Sequence, residues 1–110
     1  MGKYESQDQV AASNYLATLP YVDADRIGIF GWSYGGYETL MAMTEKGNRF
    51  AAGVAVAPVT DWRFYDTIYS ERFMRTPQQN QVGYDNSSAL FRAANLKGDL
   101  LIVSGSADDN

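Results

Sequence analysis

A chain of 110 residues is enough for one domain and not for two, and its 45% hydrophobic and 20% charged residues describe a globular chain and not a disordered one. The net charge of −4 with nine scattered basic residues leaves no electrostatic footprint for nucleic acid, and no apolar run approaches the roughly 20 residues that span a bilayer. There is no cysteine and no histidine, which excludes disulfides, thiol nucleophiles, thiolate metal sites and a histidine base from among these residues.

The opening residues do not read as a signal peptide. From about Glu5 to Thr18 the pattern predicts an amphipathic helix, with Ala12, Tyr15, Leu16 and Leu19 forming its apolar face and Ser6 with Gln9 a capping box. Pro20 stops it, and Val22 to Asp25 is a polar turn. Ile27-Gly28-Ile29-Phe30-Gly31 is a short apolar run without alternation, as expected of a strand buried on both faces. A second helix is expected from Tyr34 to about Lys46, ended by Gly47-Asn48. Gly53 to Ala57 is a second strand of the same kind, stopped by Pro58. Trp62 to Phe73 is aromatic and predicts a short helix, Thr76 to Asn86 reads as a loop, and Ser88 to Leu96 returns to helix. Leu100 to Val103 is the third two-sided strand, and the chain ends in Gly105-Ser106-Ala107-Asp108-Asp109-Asn110. Alternation of this kind predicts an α/β fold, with βαβ units and a parallel sheet of three strands joined by crossover helices.

The segment Gly31-Trp32-Ser33-Tyr34-Gly35 carries the chemistry. A Gly-x-Ser-x-Gly turn between a strand and a helix pushes the serine hydroxyl out at the carboxyl end of a sheet, and the glycines leave room for the turn. The N–H of the next residue points into the same space and can stabilise an oxyanion. The pattern arises by chance in roughly 3–4% of chains this long, so the apolar strand before it and the helix after it matter. A phosphate-binding turn is the competing reading, but the segment matches neither the P-loop nor the dinucleotide fingerprint.

Extended to Gly36-Tyr37, this segment resembles the nucleophile region of the prolyl oligopeptidase family of serine peptidases, in its dipeptidyl peptidase IV branch. The likeness continues through Ala55-Val56-Ala57-Pro58-Val59-Thr60-Asp61-Trp62, Tyr65-Asp66 and Tyr69-Ser70-Glu71-Arg72, and closes with Gly105 to Asn110. It covers essentially the whole chain, residues 1–110, and implies part of an α/β-hydrolase catalytic domain from a parent that also has a β-propeller.

The resemblance implies Ser33 as nucleophile, the Tyr34 N–H as one oxyanion donor, and Asp108 as the triad acid, with Asp109 its neighbouring competitor. It implies that Val59, Trp62, Tyr65 and Tyr69, with the Tyr34 side chain, line a small apolar pocket for proline or alanine. Asn110 is implied to hold the substrate's backbone carbonyl, and Glu71-Arg72 only a structural role. No cofactor or metal is implied, and the expected partner is a peptide substrate; the sequence does not give the compartment, and the resemblance suggests a periplasmic parent. Ser104 and Ser106 stand where the family usually shows histidine and threonine. Neither position is the triad histidine, which is expected some tens of residues beyond Asn110. The 110 residues alone are therefore expected to be inactive, and to self-associate through a half-covered sheet. An acylaminoacyl peptidase or esterase of the same fold, and a non-catalytic binding or assembly module, are the alternative readings.

Overall fold

The computed structural model describes residues 1–110. Three strands, β1 (Gly28–Trp32), β2 (Ala52–Val56) and β3 (Asp99–Val103), form a parallel sheet in the order β1-β2-β3. The register sets Phe30, Val54 and Leu101 in one row and Trp32, Val56 and Val103 in the next. Helix α1 (Lys3–Leu16) precedes β1, and α2 (Tyr34–Met43) joins β1 to β2. Between β2 and β3 the chain makes a 3₁₀ turn (Trp62–Phe64), helices α3 (Thr67–Met74), α4 (Gln81–Asn86) and α5 (Ala89–Arg92), and a second 3₁₀ turn (Ala93–Asn95). No helix is long and apolar enough to cross a membrane.

Where α2 crosses the sheet the residues are small, with Ile29 and Leu100 beside them. Gly31, Gly53 and Ala55 are buried there, and a Cβ on Gly53 would strike the Met43 sulfur. Close approach lets α2 bury every residue from Gly36 to Met43. Tyr37, Met41, Trp62, Met74 and Tyr84 form the main core on this side, with Ile27, Ala42, Met43 and Phe50 as a second cluster.

The opposite face is bare: Phe30 is 69% exposed, Trp32 67% and Leu101 57%. The three strands are apolar on both sides, as predicted, but helices cover only one side. The radius of gyration, 14.5 Å, exceeds the roughly 13 Å of a compact chain this long.

Helix α1 differs from its prediction in boundaries, cap and buried face. Its N-cap is Gly2 in the left-handed region, so Ser6 lies inside the helix and forms no capping box with Gln9. The Ser6 hydroxyl donates to the Lys3 carbonyl and to Glu45 Oε2. The buried residues are Ser6 and Ser13, whereas Ala12, Tyr15 and Leu16 are exposed. Small serines allow α1 to sit close on α2 while returning their hydroxyls to the helix backbone, and the bulkier stripe is left outside.

Helix α2 ends at Met43, three residues before Lys46, because the Asn48 side chain donates to the Met43 and Glu45 carbonyls and ties off its last turn. The stretch Thr76 to Asn86, expected to be a loop, contains α4. Asn80 caps it by accepting from the Gly83 N–H at 3.2 Å, a cap signal that the polar composition concealed.

Candidate active site

The carboxyl ends of all three strands open onto one cavity of about 440 Å³, the place where open α/β sheets present their sites. β1 delivers Trp32 and Ser33, the chain after β2 delivers Ala57 to Asp61, and the chain after β3 delivers Ser104, Gly105, Asp108 and Asn110. Phe64 and Tyr65 complete the wall.

Ser33 sits at the cap of α2 with φ 57° and ψ −115°, a conformation costing a non-glycine residue about 1–3 kcal/mol. Two backbone bonds hold it there: its N–H donates to the Val56 carbonyl at 2.9 Å, and its carbonyl accepts from the Tyr37 N–H at 3.0 Å. Its hydroxyl caps no helix N–H and remains exposed. Ala57, on the facing wall, also has positive φ, 44°, and its N–H donates to the Val103 carbonyl at 2.7 Å.

The glycines around Ser33 are not equivalent, contrary to the expectation that both motif glycines clear the turn. A Cβ on Gly31 would collide with the Gly35 carbonyl, but one on Gly35 meets nothing within 4 Å. The second tight position is Gly36, where a Cβ would lie 2.7 Å from the Val56 carbonyl oxygen. Gly31 and Gly36 thus let the turn close against β2.

Tyr34 opens α2, and its N–H is one of the first-turn donors that helical geometry leaves without an intrahelical acceptor. Its hydroxyl donates to Glu5 Oε1 at 2.9 Å. One turn on, both carboxylate oxygens of Glu38 are buried without a hydrogen-bond partner. Burial first, and the Glu5 charge second, push the Glu38 carboxyl up to about 7. Burial also works against ionisation of Glu5, but hydrogen bonds from the backbone and from Tyr34 prevail and hold it below its ordinary value. The Tyr34 phenol is pushed up, by burial and by its bond to Glu5.

Five of the residues singled out from the sequence, Ser33, Val59, Tyr65, Asp108 and Asn110, line the cavity together. Asp108 does so and Asp109 does not; the Asp108 carboxylate accepts from the Asn110 N–H at 3.1 Å. Tyr34, Trp62 and Tyr69 lie behind the wall. Trp62 is 2% exposed, stacked on Tyr69 at 5.6 Å and edge-on to Tyr65 at 5.8 Å, so it backs the pocket from the core. Phe64, Thr60 and Ser104 also line the cavity; none of them is a site residue in the sequence reading, where Ser104 is only a departure from the family pattern. Asp61 fixes this wall, its carboxylate accepting from the Arg63 N–H at 2.8 Å and from Arg63 Nη1 at 3.2 Å.

A parallel sheet with a serine strained into the turn between β1 and α2 defines part of an α/β-hydrolase domain. The chain belongs to the prolyl oligopeptidase family, whose model matches residues 1–110. Dipeptidyl peptidase 4 of Porphyromonas gingivalis is 64% identical and superposes with a TM-score of 0.98, over 100% of this chain and 16% of that one. The "Probable dipeptidyl-aminopeptidase B" proteins of Metarhizium robertsii and Grosmannia clavigera are 52% and 53% identical over 100% of this chain. The chain spans 12% of the length of those two relatives.

Proposed function

We propose that this chain is the nucleophile-bearing part of a serine exopeptidase that releases dipeptides ending in proline or alanine from peptide N-termini. The observation that carries the reading is Ser33, held at φ 57° with a free hydroxyl in the cavity that Asp108 also lines. Ser33 Oγ attacks the scissile carbonyl, and a base takes its proton and passes it to the departing amine. Water then cleaves the acyl-enzyme. The Tyr34 N–H donates to the oxyanion, and Asp108 orients the base.

Val59 and Tyr65 meet the substrate's apolar side chain directly; Trp62, Tyr69 and the Tyr34 ring shape the pocket from behind. Asn110 holds the backbone carbonyl beside it. The base must come from outside these 110 residues, which hold no histidine. Removing a triad histidine leaves only about 10³–10⁴-fold acceleration over water, so the 110 residues alone are inactive.

The test uses the full-length protein that carries this chain, offered Xaa-Pro, Xaa-Ala and acylated nitroanilides and a simple ester. Cleavage of the first two, abolished by Ser33→Ala, is the expected result. Preference for acylated substrates or the ester would move the assignment to another peptidase or esterase of this fold. Failure of a fluorophosphonate to label Ser33 in that protein would overturn catalysis altogether.

A further inference from the structure

Tyr34 is fastened at both ends. Its main chain follows Ser33 directly, and its hydroxyl crosses to α1, where Glu5 Oε1 accepts it at 2.9 Å. Between these points the half-buried ring packs edge-on against Tyr37 at 5.5 Å and lies 5.8 Å from Trp62. A phenol has few torsions, so fixing its hydroxyl restrains the first peptide of α2.

The environment keeps this link in one protonation state. Glu5 stays charged because its hydrogen bonds outweigh burial, and a charged acceptor makes the stronger bond. Glu38, the other carboxyl facing Tyr34, is the member of the pair that burial drives toward neutrality. The remaining charged or titratable groups nearby are Tyr37 on α2 and Arg92 on α5.

We propose that Glu5 is a positioning residue for the Ser33 site, acting only through the Tyr34 hydroxyl to hold the Tyr34 N–H where an oxyanion on Ser33-bound substrate forms. This rests on the reading of Ser33 as nucleophile. Docking of α1 does not depend on the Glu5 bond. Ser6 Oγ also donates to Glu45 Oε2 at 3.2 Å, and the Tyr37 hydroxyl donates to the Met1 carbonyl at 3.3 Å. A change at Glu5 is therefore felt at the turn and not as loss of the helix.

The experiment uses the full-length protein and Gly-Pro-nitroanilide. Since misplacement of about 1 Å costs on the order of 100-fold, a loosened but intact turn loses about tenfold in kcat with KM within about twofold. Glu5→Ala and Tyr34→Phe should each show this loss, and the double variant should lose no more than either single one, the mark of action through one contact. Glu5→Gln keeps an acceptor and restores most of the rate. Losses that multiply in the double variant, or that fall on KM alone, overturn the proposal.

Amide hydrogen exchange supplies a readout independent of turnover. Glu5→Ala and Tyr34→Phe should speed exchange of the Tyr37 N–H, the first amide of α2 to be bonded, about fivefold and leave β2 unchanged. If wild-type protein cleaves no substrate, the peptidase reading fails, and exchange still decides whether Glu5 holds the turn; equal exchange in all variants overturns that.

Discussion

Gly31 and Gly35 meet backbone to backbone across the turn that carries Ser33, and a Cβ on Gly31 would fall on the Gly35 carbonyl. The obstacle is main chain on both sides, so no rotamer change relieves it. The contact permits Ser33 to stand at φ 57° with its hydroxyl clear of the helix.

Gly31→Ala is therefore expected to destabilise by about 2–3 kcal/mol or more, the scale of a forced overlap in a packed region. Gly35→Ala, with open space at its Cβ, should stay within about 1 kcal/mol of wild type, since alanine favours the helix by about that amount. Urea midpoints for the two variants check the contrast; equal losses would refute it.

Glu38 makes stability depend on pH. Its carboxyl is raised from 4.5 to about 7, so between these values the unfolded chain has released a proton that the folded chain retains. Below pH 4.5 both states are protonated and nothing is lost. Stability then falls as pH rises to about 7 and levels off above it. Glu38→Gln removes this dependence, and its stability relative to wild type should improve by about 2 kcal/mol between pH 5 and pH 8. Parallel wild-type and Glu38→Gln stability curves would show that Glu38 ionises normally.

Asp61 is 3% exposed and caps the 3₁₀ turn behind the cavity wall. Asp61→Ala should cost about 1–2 kcal/mol and raise KM for the nitroanilide substrates, because residues 57–61 line the cavity. Asp61→Asn, which keeps the accepting oxygen, should cost less than half as much in a denaturant titration. Asn as damaging as Ala would mean that the carboxylate charge, and not the cap, holds the wall.

The bare sheet face carries Phe30, Trp32, Leu101 and Val103, all exposed, beside two unpaired strand edges. Contiguous apolar surface of this kind rarely remains open to water. The 110-residue chain alone is expected to sediment as dimers or larger species at micromolar concentration. Phe30→Lys combined with Leu101→Lys should shift it toward monomer. A wild-type chain that sediments as a monomer would count against this.

Much of the site was legible in the sequence because its geometry is local. A strand, a Gly-x-Ser-x-Gly turn and a helix follow one another within 16 residues, from Gly28 to Met43, and backbone sterics alone put the serine at the strand's end. The three short apolar runs, bounded by turn residues, likewise marked the strands, although only one face of the sheet is covered. The buried face of α1 was not legible. The spacing of Ala12, Tyr15 and Leu16 looked like a core stripe, but a close approach to α2 favours Ser6 and Ser13, whose hydroxyls bond their own helix.

The sequence alone determined the strand order of chemistry: a serine turn after β1, aromatic residues after β2, and an acidic loop after β3. Only the tertiary structure decided which residues meet. It put Asp108 and not Asp109 on the cavity, moved Trp62 into the core behind it, and brought Glu5 to the Tyr34 hydroxyl from 29 positions away. The reason is physical: a turn is fixed by sterics among neighbours, whereas a hydrogen bond between two helices exists only once both have packed on the sheet.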